Sequence, residues 1–203
     1  MTDPITIPER APRDIPEFDH PRAEAAVREL LAAIGEDPDR EGLRETPARV
    51  ARAYAELTQG IRQTPRDVLT TTFDLGHEEM VLVRDIELWS MCEHHLVPFT
   101  GVAHIAYVPR ERIIGLGRLP LVVDTLASRP QLQERLTEEI ADAVQAGLDP
   151  RGVLVVVDAS HQCVSARGVR QTRSSTVTMA ARGTLADPVG RAEIITMIGA
   201  PRD

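Results

Sequence analysis

Ser90-Met91-Cys92-Glu93-His94-His95-Leu96-Val97-Pro98 contains one of the chain's two cysteines and two of its six histidines. Immediately upstream, Val81, Val83, Ile86 and Leu88 alternate with polar residues around a break near Asp85. That is the pattern of a half-buried strand running into the motif. The second cysteine lies far downstream, in Ser160-His161-Gln162-Cys163, and again near a histidine. It follows a continuous apolar run, Val153 to Val157, that reads as a well-buried strand. Soft ligands this scarce, clustered in this way, suggest one metal site assembled from two distant segments.

Working outward, Val102 to Val108 and Arg112 to Leu116 read as a hairpin around Pro109-Arg110-Glu111. A short helix spans Leu119 to Leu126. Pro130 opens a stronger helix, with Leu132, Leu136, Ile140 and Val144 on one stripe and Gly147 as its close. Thr176 to Ala181 is a last strand, and Ala192 to Ile198 a terminal helix. On the N-terminal side, Ala23 to Ile34 has helical spacing with Gly35 as its stop. Thr46-Pro47 looks like an N-cap with proline in the first turn, ahead of Val50, Tyr54 and Leu57, and Gly60 ends that helix. Residues 1–21 carry five prolines and read as a flexible arm. The division is therefore arm 1–21, helical segment 22–62 and main domain 63–203. The order of helices, strands, two helices and strands predicts an α+β fold with a mainly antiparallel sheet.

The chain has 203 residues and a net charge of −8, which argues against a general nucleic-acid surface. It contains no lysine, so all 23 bases are arginine. No N-terminal apolar stretch resembles a signal peptide and no run approaches a membrane span, so a reduced, cytoplasmic setting is expected.

Cys92 and His95 have the C-x2-H spacing that lets two side chains of one turn reach one ion, and Cys163 supplies a third ligand. Two thiolates and an imidazole suit Zn²⁺, and three protein ligands leave a fourth position open, the catalytic arrangement. A disulfide and two unrelated buried cysteines are the other readings of the same residues. If the chain stays extended, His161 and Cys163 share a face. His161 and His94 then stand beside the ion, where either could move protons. His161 taken alone reads equally as a structural histidine. Glu93 reads as a support for the ligands or as a surface acid. His20, His77 and His104 read as structural or solvated.

At these motifs the chain resembles the GTP cyclohydrolase I family. The likeness runs through Asp39-Arg40-Glu41-Gly42-Leu43, Thr46-Pro47-Ala48-Arg49-Val50, the Cys92 motif and Gln131-Leu132-Gln133-Glu134-Arg135-Leu136-Thr137. It ends in His161-Gln162-Cys163 and Ala166-Arg167-Gly168-Val169-Arg170. The resemblance implies that the main domain, 63–203, is a catalytic domain of tunnelling fold (T-fold), with two helices on one face of the sheet and an N-terminal helical extension. It also implies a homodecamer of two stacked rings, with sites between subunits. The implied reaction is zinc-dependent opening of the guanine imidazole ring of GTP, loss of formate and rearrangement to 7,8-dihydroneopterin triphosphate. By position, Cys92, His95 and Cys163 are the implied zinc ligands, and His161 and His94 the implied proton-transfer groups. Glu134 is implied to hold the guanine edge, with Gln133 beside it in the pocket. Arg167, Arg118 and Arg49 are implied phosphate partners, Arg49 reaching a neighbouring subunit's triphosphate. Spacing alone makes Glu134 an ordinary first-turn helix acid.

The chain departs from the family pattern in Gly115-Leu116-Gly117-Arg118-Leu119-Pro120-Leu121. Relatives commonly have serine and lysine where Gly117 and Arg118 stand, and arginine at Leu121. Other arginines compensate on one reading. On the alternatives, the chain acts on a less phosphorylated or modified guanine nucleotide, or is a non-catalytic T-fold module that binds a purine or pterin.

Overall fold

A computed structural model describes residues 15–70, 72–74 and 76–200, so most of the proline-rich arm lies outside the described residues. The chain forms two compact units, Met1–Ala55 and Glu56–Asp203. In the first, α1 (His20–Ala33) starts at Asp19, whose carboxylate accepts from the Arg22 backbone N–H. It ends where Gly35 takes a positive φ of 91°, as its glycine stop predicts. α2 (Thr46–Leu57) begins here and crosses the boundary between the units.

The second unit continues with α3 (Pro65–Val68), β1 (Thr72–Phe73), β2 (Val81–Cys92), β3 (Pro98–Val108), β4 (Ile113–Ile114) and α4 (Arg118–Ala127). β5 (Pro130–Gln131), α5 (Gln133–Leu148), β6 (Gly152–His161), α6 (Gln162–Ser165), β7 (Thr176–Gly183) and α7 (Pro188–Gly199) follow. Five strands form one sheet in the order β5-β2-β3-β6-β7, antiparallel except where β5 joins β2. This is the expected α+β architecture. The break near Asp85 is a bulge between Val83 and Ile86, with Asp85 at a positive φ of 56°.

Alternation along the strands builds two cores. Leu88, Phe99, Ala103, Ile105 and Tyr107 face α4 and α5, meeting Leu119, Val122 and Leu126 from one and Leu136, Ile140 and Val144 from the other. The opposite face carries Ala106, Leu154 and Val156 against Leu185 and Ile194, so α7 covers it. A fully buried aliphatic side chain contributes roughly 1.5–3 kcal/mol, and the face that buries more of them holds the paired helices. The Arg84 guanidinium donates to the Met197 and Ala200 carbonyls (2.8 and 3.2 Å), tying the end of α7 to β2.

The structure corrects four readings. Residues 113–114 do not form a hairpin with β3; they pair with β1 in a separate two-stranded sheet. β3 has no free edge to offer, because β2 and β6 occupy both sides. Pro130 opens no helix: Pro130–Gln131 pairs with Met91–Cys92, and α5 starts at Gln133. Gly147 does not close α5, which runs to Leu148 and ends on Asp149 in the left-handed region. A Cβ at Gly147 would lie 2.5 Å from Leu69 Cδ1, so a larger residue there would displace that side chain. Nor is the chain extended from His161 to Cys163, since β6 ends at His161 and a helical turn begins.

Candidate metal centre

The Cys92 end of β2 turns at once. The Cys92 N–H donates to the Val97 carbonyl (2.9 Å), while the Cys92 carbonyl accepts from His95 N and Leu96 N at 3.3 and 2.8 Å. Leu96 closes the turn at a positive φ of 52°. Folding back in this way brings His95 Nδ1 to 3.8 Å from Cys92 Sγ. The turn is also held from the side, because Glu93 N–H donates to the Gln131 carbonyl at 3.0 Å. β5 thus places the strand before α5 directly against the turn.

Cys163 enters from the first turn of α6, just past the point where Phe99 and His161 pair across β3 and β6. The ligand atoms of Cys92, His95 and Cys163 all lie within 4.8 Å of one another. Both cysteines are free thiols. Burial and the neighbouring Cys92 thiol push the Cys163 thiol pKa up, while the Arg167 charge works the other way. Two thiols so close resist joint ionisation unless a cation sits between them. The donor set therefore fits a soft divalent ion such as zinc.

His161 is fixed on both sides. Its ring stacks on Phe99, with centroids 4.6 Å apart and planes 12° from parallel. Its Nε2 lies 2.7 Å from Gln133 Oε1. Burial pushes its pKa down, against the charge of Glu134, so the neutral ring is favoured. Glu134 is exposed in the first turn of α5, one residue after the buried Gln133.

The sequence profile of GTP cyclohydrolase I matches residues 23–199. The chain is 60% identical over 200 residues to GTP cyclohydrolase 1 of Streptomyces griseus, covering 98% of each chain. It is likewise 60% identical over 200 residues to the Streptomyces coelicolor protein of that name, again over 98% of each. The chain belongs to the GTP cyclohydrolase I family. It is also 58% identical over 184 residues to GTP cyclohydrolase 1 of Leifsonia xyli, covering 90% of this chain and 96% of that one. Among solved structures it is similar to an archaeosine synthase QueF-Like protein, with a TM-score of 0.44 and 19% identity over 51% of this chain and 93% of that one.

Of the site residues expected from the sequence, the structure brings together Cys92, His95, Cys163, His161 and Gln133, with the charges of Glu134 and Arg167 acting on His161 and Cys163. His94 is exposed beside the turn, its ring 6.2 Å from that of His95. Arg118 opens α4 and Arg167 follows α6; neither guanidinium makes a hydrogen bond or ion pair among the described residues. Arg49 is exposed on α2 and belongs to the first unit.

Sequence reasoning missed Arg135, which donates to Glu93 on the metal turn, to Gln131 Oε1 (2.9 Å) and to the Pro130 carbonyl (3.3 Å). It also missed the stacking role of Phe99. Arg135 lies one residue past Glu134, and a cation opposite Glu93 was the available signal.

Proposed function

We propose that this chain hydrolyses the guanine imidazole ring of GTP at C8, releases formate and recloses the opened ribose on the freed amine. The product is 7,8-dihydroneopterin triphosphate. The observation that carries this reading is the convergence of two thiols and an imidazole beside a separately held histidine, His161. Cys92, His95 and Cys163 hold Zn²⁺. A zinc ion with an open position supplies Lewis-acid activation of water near neutral pH.

The remaining work falls to the chain's own groups. His161 carries the proton exchanged during attack at C8. Glu134 accepts in parallel from the guanine N1–H and 2-amino group, which suits a carboxylate. His94, exposed beside the ligands, serves the later ribose steps. Arg118 and Arg167 bind the triphosphate, joined by Arg49 of a neighbouring subunit. The assembly is a cytoplasmic homodecamer. Edge strand β7 supports sheet-to-sheet joining, because its outer side pairs with no other strand among the described residues. No helix of the described residues is long and apolar enough to cross a membrane.

Zinc-loaded protein given GTP is expected to release formate and to yield a fluorescent pterin after oxidation. His161→Ala is expected to abolish ring opening with one zinc per chain still bound; retained turnover removes its proposed role. A second reading has one observation in its favour. Leu121, 41% exposed on α4, presents no cation at a position where the family resemblance implies one. Faster turnover of GDP, GMP or guanosine than of GTP would favour a less phosphorylated substrate.

A further inference from the structure

Gln133 is 2% exposed, and both polar atoms of its side chain are engaged with protein groups. Nε2 lies 2.8 Å from the Thr176 carbonyl oxygen, 3.1 Å from that of Val157 and 3.2 Å from Thr178 Oγ1. Carbonyl oxygens only accept hydrogen bonds, so the amide NH₂ must face them. Turned over, Oε1 would face two carbonyl oxygens at 2.8 and 3.1 Å with no proton between them.

Two hydroxyls fix the same sense. Thr137 Oγ1 donates to the Gln133 backbone carbonyl at 2.8 Å, so its oxygen is left to accept from Thr178 Oγ1 at 2.6 Å. The Thr178 oxygen in turn is left to accept from the Gln133 amide. Donation runs one way around a closed ring. Reversing the amide would leave one link of that ring without a proton, in addition to the two carbonyl contacts.

With the amide set, Gln133 Oε1 is an acceptor facing His161 Nε2 at 2.7 Å. The imidazole proton of the neutral ring must then reside on Nε2, which leaves the lone pair on Nδ1. Nδ1 has no hydrogen-bond partner among the described residues. Stacking on Phe99 holds the plane of the ring, and a half-turn about Cβ–Cγ would put a carbon where Nε2 now meets Gln133 Oε1.

We propose that Gln133 is a positioning residue that locks His161 in its Nε2–H tautomer, so that the ring presents a lone pair to the substrate and takes a proton before it gives one. This rests on the reading of His161 as the proton carrier. As the water oxygen bonds to C8, one water proton passes to Nδ1 and the N7–C8 π pair moves to N7. The Nδ1 proton is then delivered to N7. The net change is addition of water across the C8–N7 double bond, and His161 returns to its starting tautomer. Gln133 keeps the Nε2 proton from being the one given up.

The test is magic-angle-spinning NMR of zinc-loaded protein carrying ¹³C,¹⁵N-histidine at pH 8, with the His161 signals assigned by their loss in His161→Asn. A protonated Nε2 with an unprotonated Nδ1 is expected in the wild type. A protonated Nδ1 in the wild type overturns the proposal, whatever Gln133→Leu does. In Gln133→Leu, both tautomers are expected, with kcat for GTP down about tenfold. KM is expected to stay within about threefold, with zinc content unchanged. Leu154→Ala, in the separate core under α7, controls for lost stability and is expected to keep its kcat. Equal loss of kcat in both variants, or a single Nε2–H tautomer in Gln133→Leu, overturns the positioning role. Normal turnover by His161→Ala would instead sink the proton-carrier reading, while leaving the tautomer assignment to stand on its own spectrum.

Discussion

Replacing Arg135 by methionine removes a cation that joins the Cys92–His95 turn to α5 while keeping most of the side chain's bulk. Its guanidinium donates to Glu93, which sits between ligands Cys92 and His95, and also reaches Gln131 Oε1 and the Pro130 carbonyl. Glu139 lies 3.8 Å from the same group, and Gln131 in turn donates to Glu139 at 2.8 Å. The Arg135 and Glu93 side chains are each 31% exposed, between the surface and buried cases. A hydrogen bond to a charged group contributes about 1.5–3 kcal/mol, whereas a fully exposed ion pair contributes about 0–1. Partial solvent screening places this link near 1–2 kcal/mol. Because the link orders the turn that presents two of the three proposed ligands, that energy should appear as roughly tenfold weaker zinc binding. Competition with a chromophoric chelator at fixed pH measures it. The Arg135→Met and Glu93→Gln changes should be strongly non-additive, since either alone breaks the same contact. If Arg135→Met lowers Tm yet leaves zinc affinity within about twofold, the network only docks α5 and the reasoning fails.

Leu121→Arg should change KM for GTP by less than about threefold, because Arg118 and Arg167 already carry guanidinium groups without ion pairs among the described residues. A tenfold fall in KM would show that the missing cation matters. His104 is buried and accepts from the Asp85 N–H through Nδ1 (3.1 Å), which requires an unprotonated nitrogen, although an Asp85 carboxylate oxygen lies 3.9 Å away. Burial holds its pKa down despite Asp158, with Arg84 acting in the same direction as burial. The folded state therefore binds fewer protons than the unfolded one below about pH 6.5. The His104 contribution to stability should be flat above that pH and fall as pH drops through it toward the lower folded-state value. Tm measured from pH 8 to 5 should decline less steeply in His104→Gln, and parallel slopes would refute this. Gly101→Ala should lower stability by about 2–4 kcal/mol, because the added Cβ would lie 2.0 Å from the Asp158 carbonyl oxygen across the β3–β6 ladder. A thermal melt within 2 °C of wild type would show that the strands separate easily.

What could be read from the chain, and what could not, divides along one physical line. The β2 alternation, its break at Asp85 and the buried run of β6 are local patterns, and the strands lie where those patterns put them. Cys92 and His95 share one turn, so their spacing alone could pair them. The missed features all depend on which edges and faces remain free after the sheet has formed. Residues 112–116 have strand character, but only the occupancy of both β3 edges sends Ile113–Ile114 to β1. Pro130 has the look of a helix start, yet a proline without an N–H also suits the first residue of an edge strand. That alternative matters for the site. Pairing Pro130–Gln131 with Met91–Cys92 starts α5 at Gln133 and seats its first turn against the metal turn. Gln133 then points to the His161 end of β6, and Arg135 reaches Glu93. Glu134, exposed between them, is left free for a ligand. Three successive choices of partner follow from one two-residue strand, and periodicity along α5 carries no trace of it.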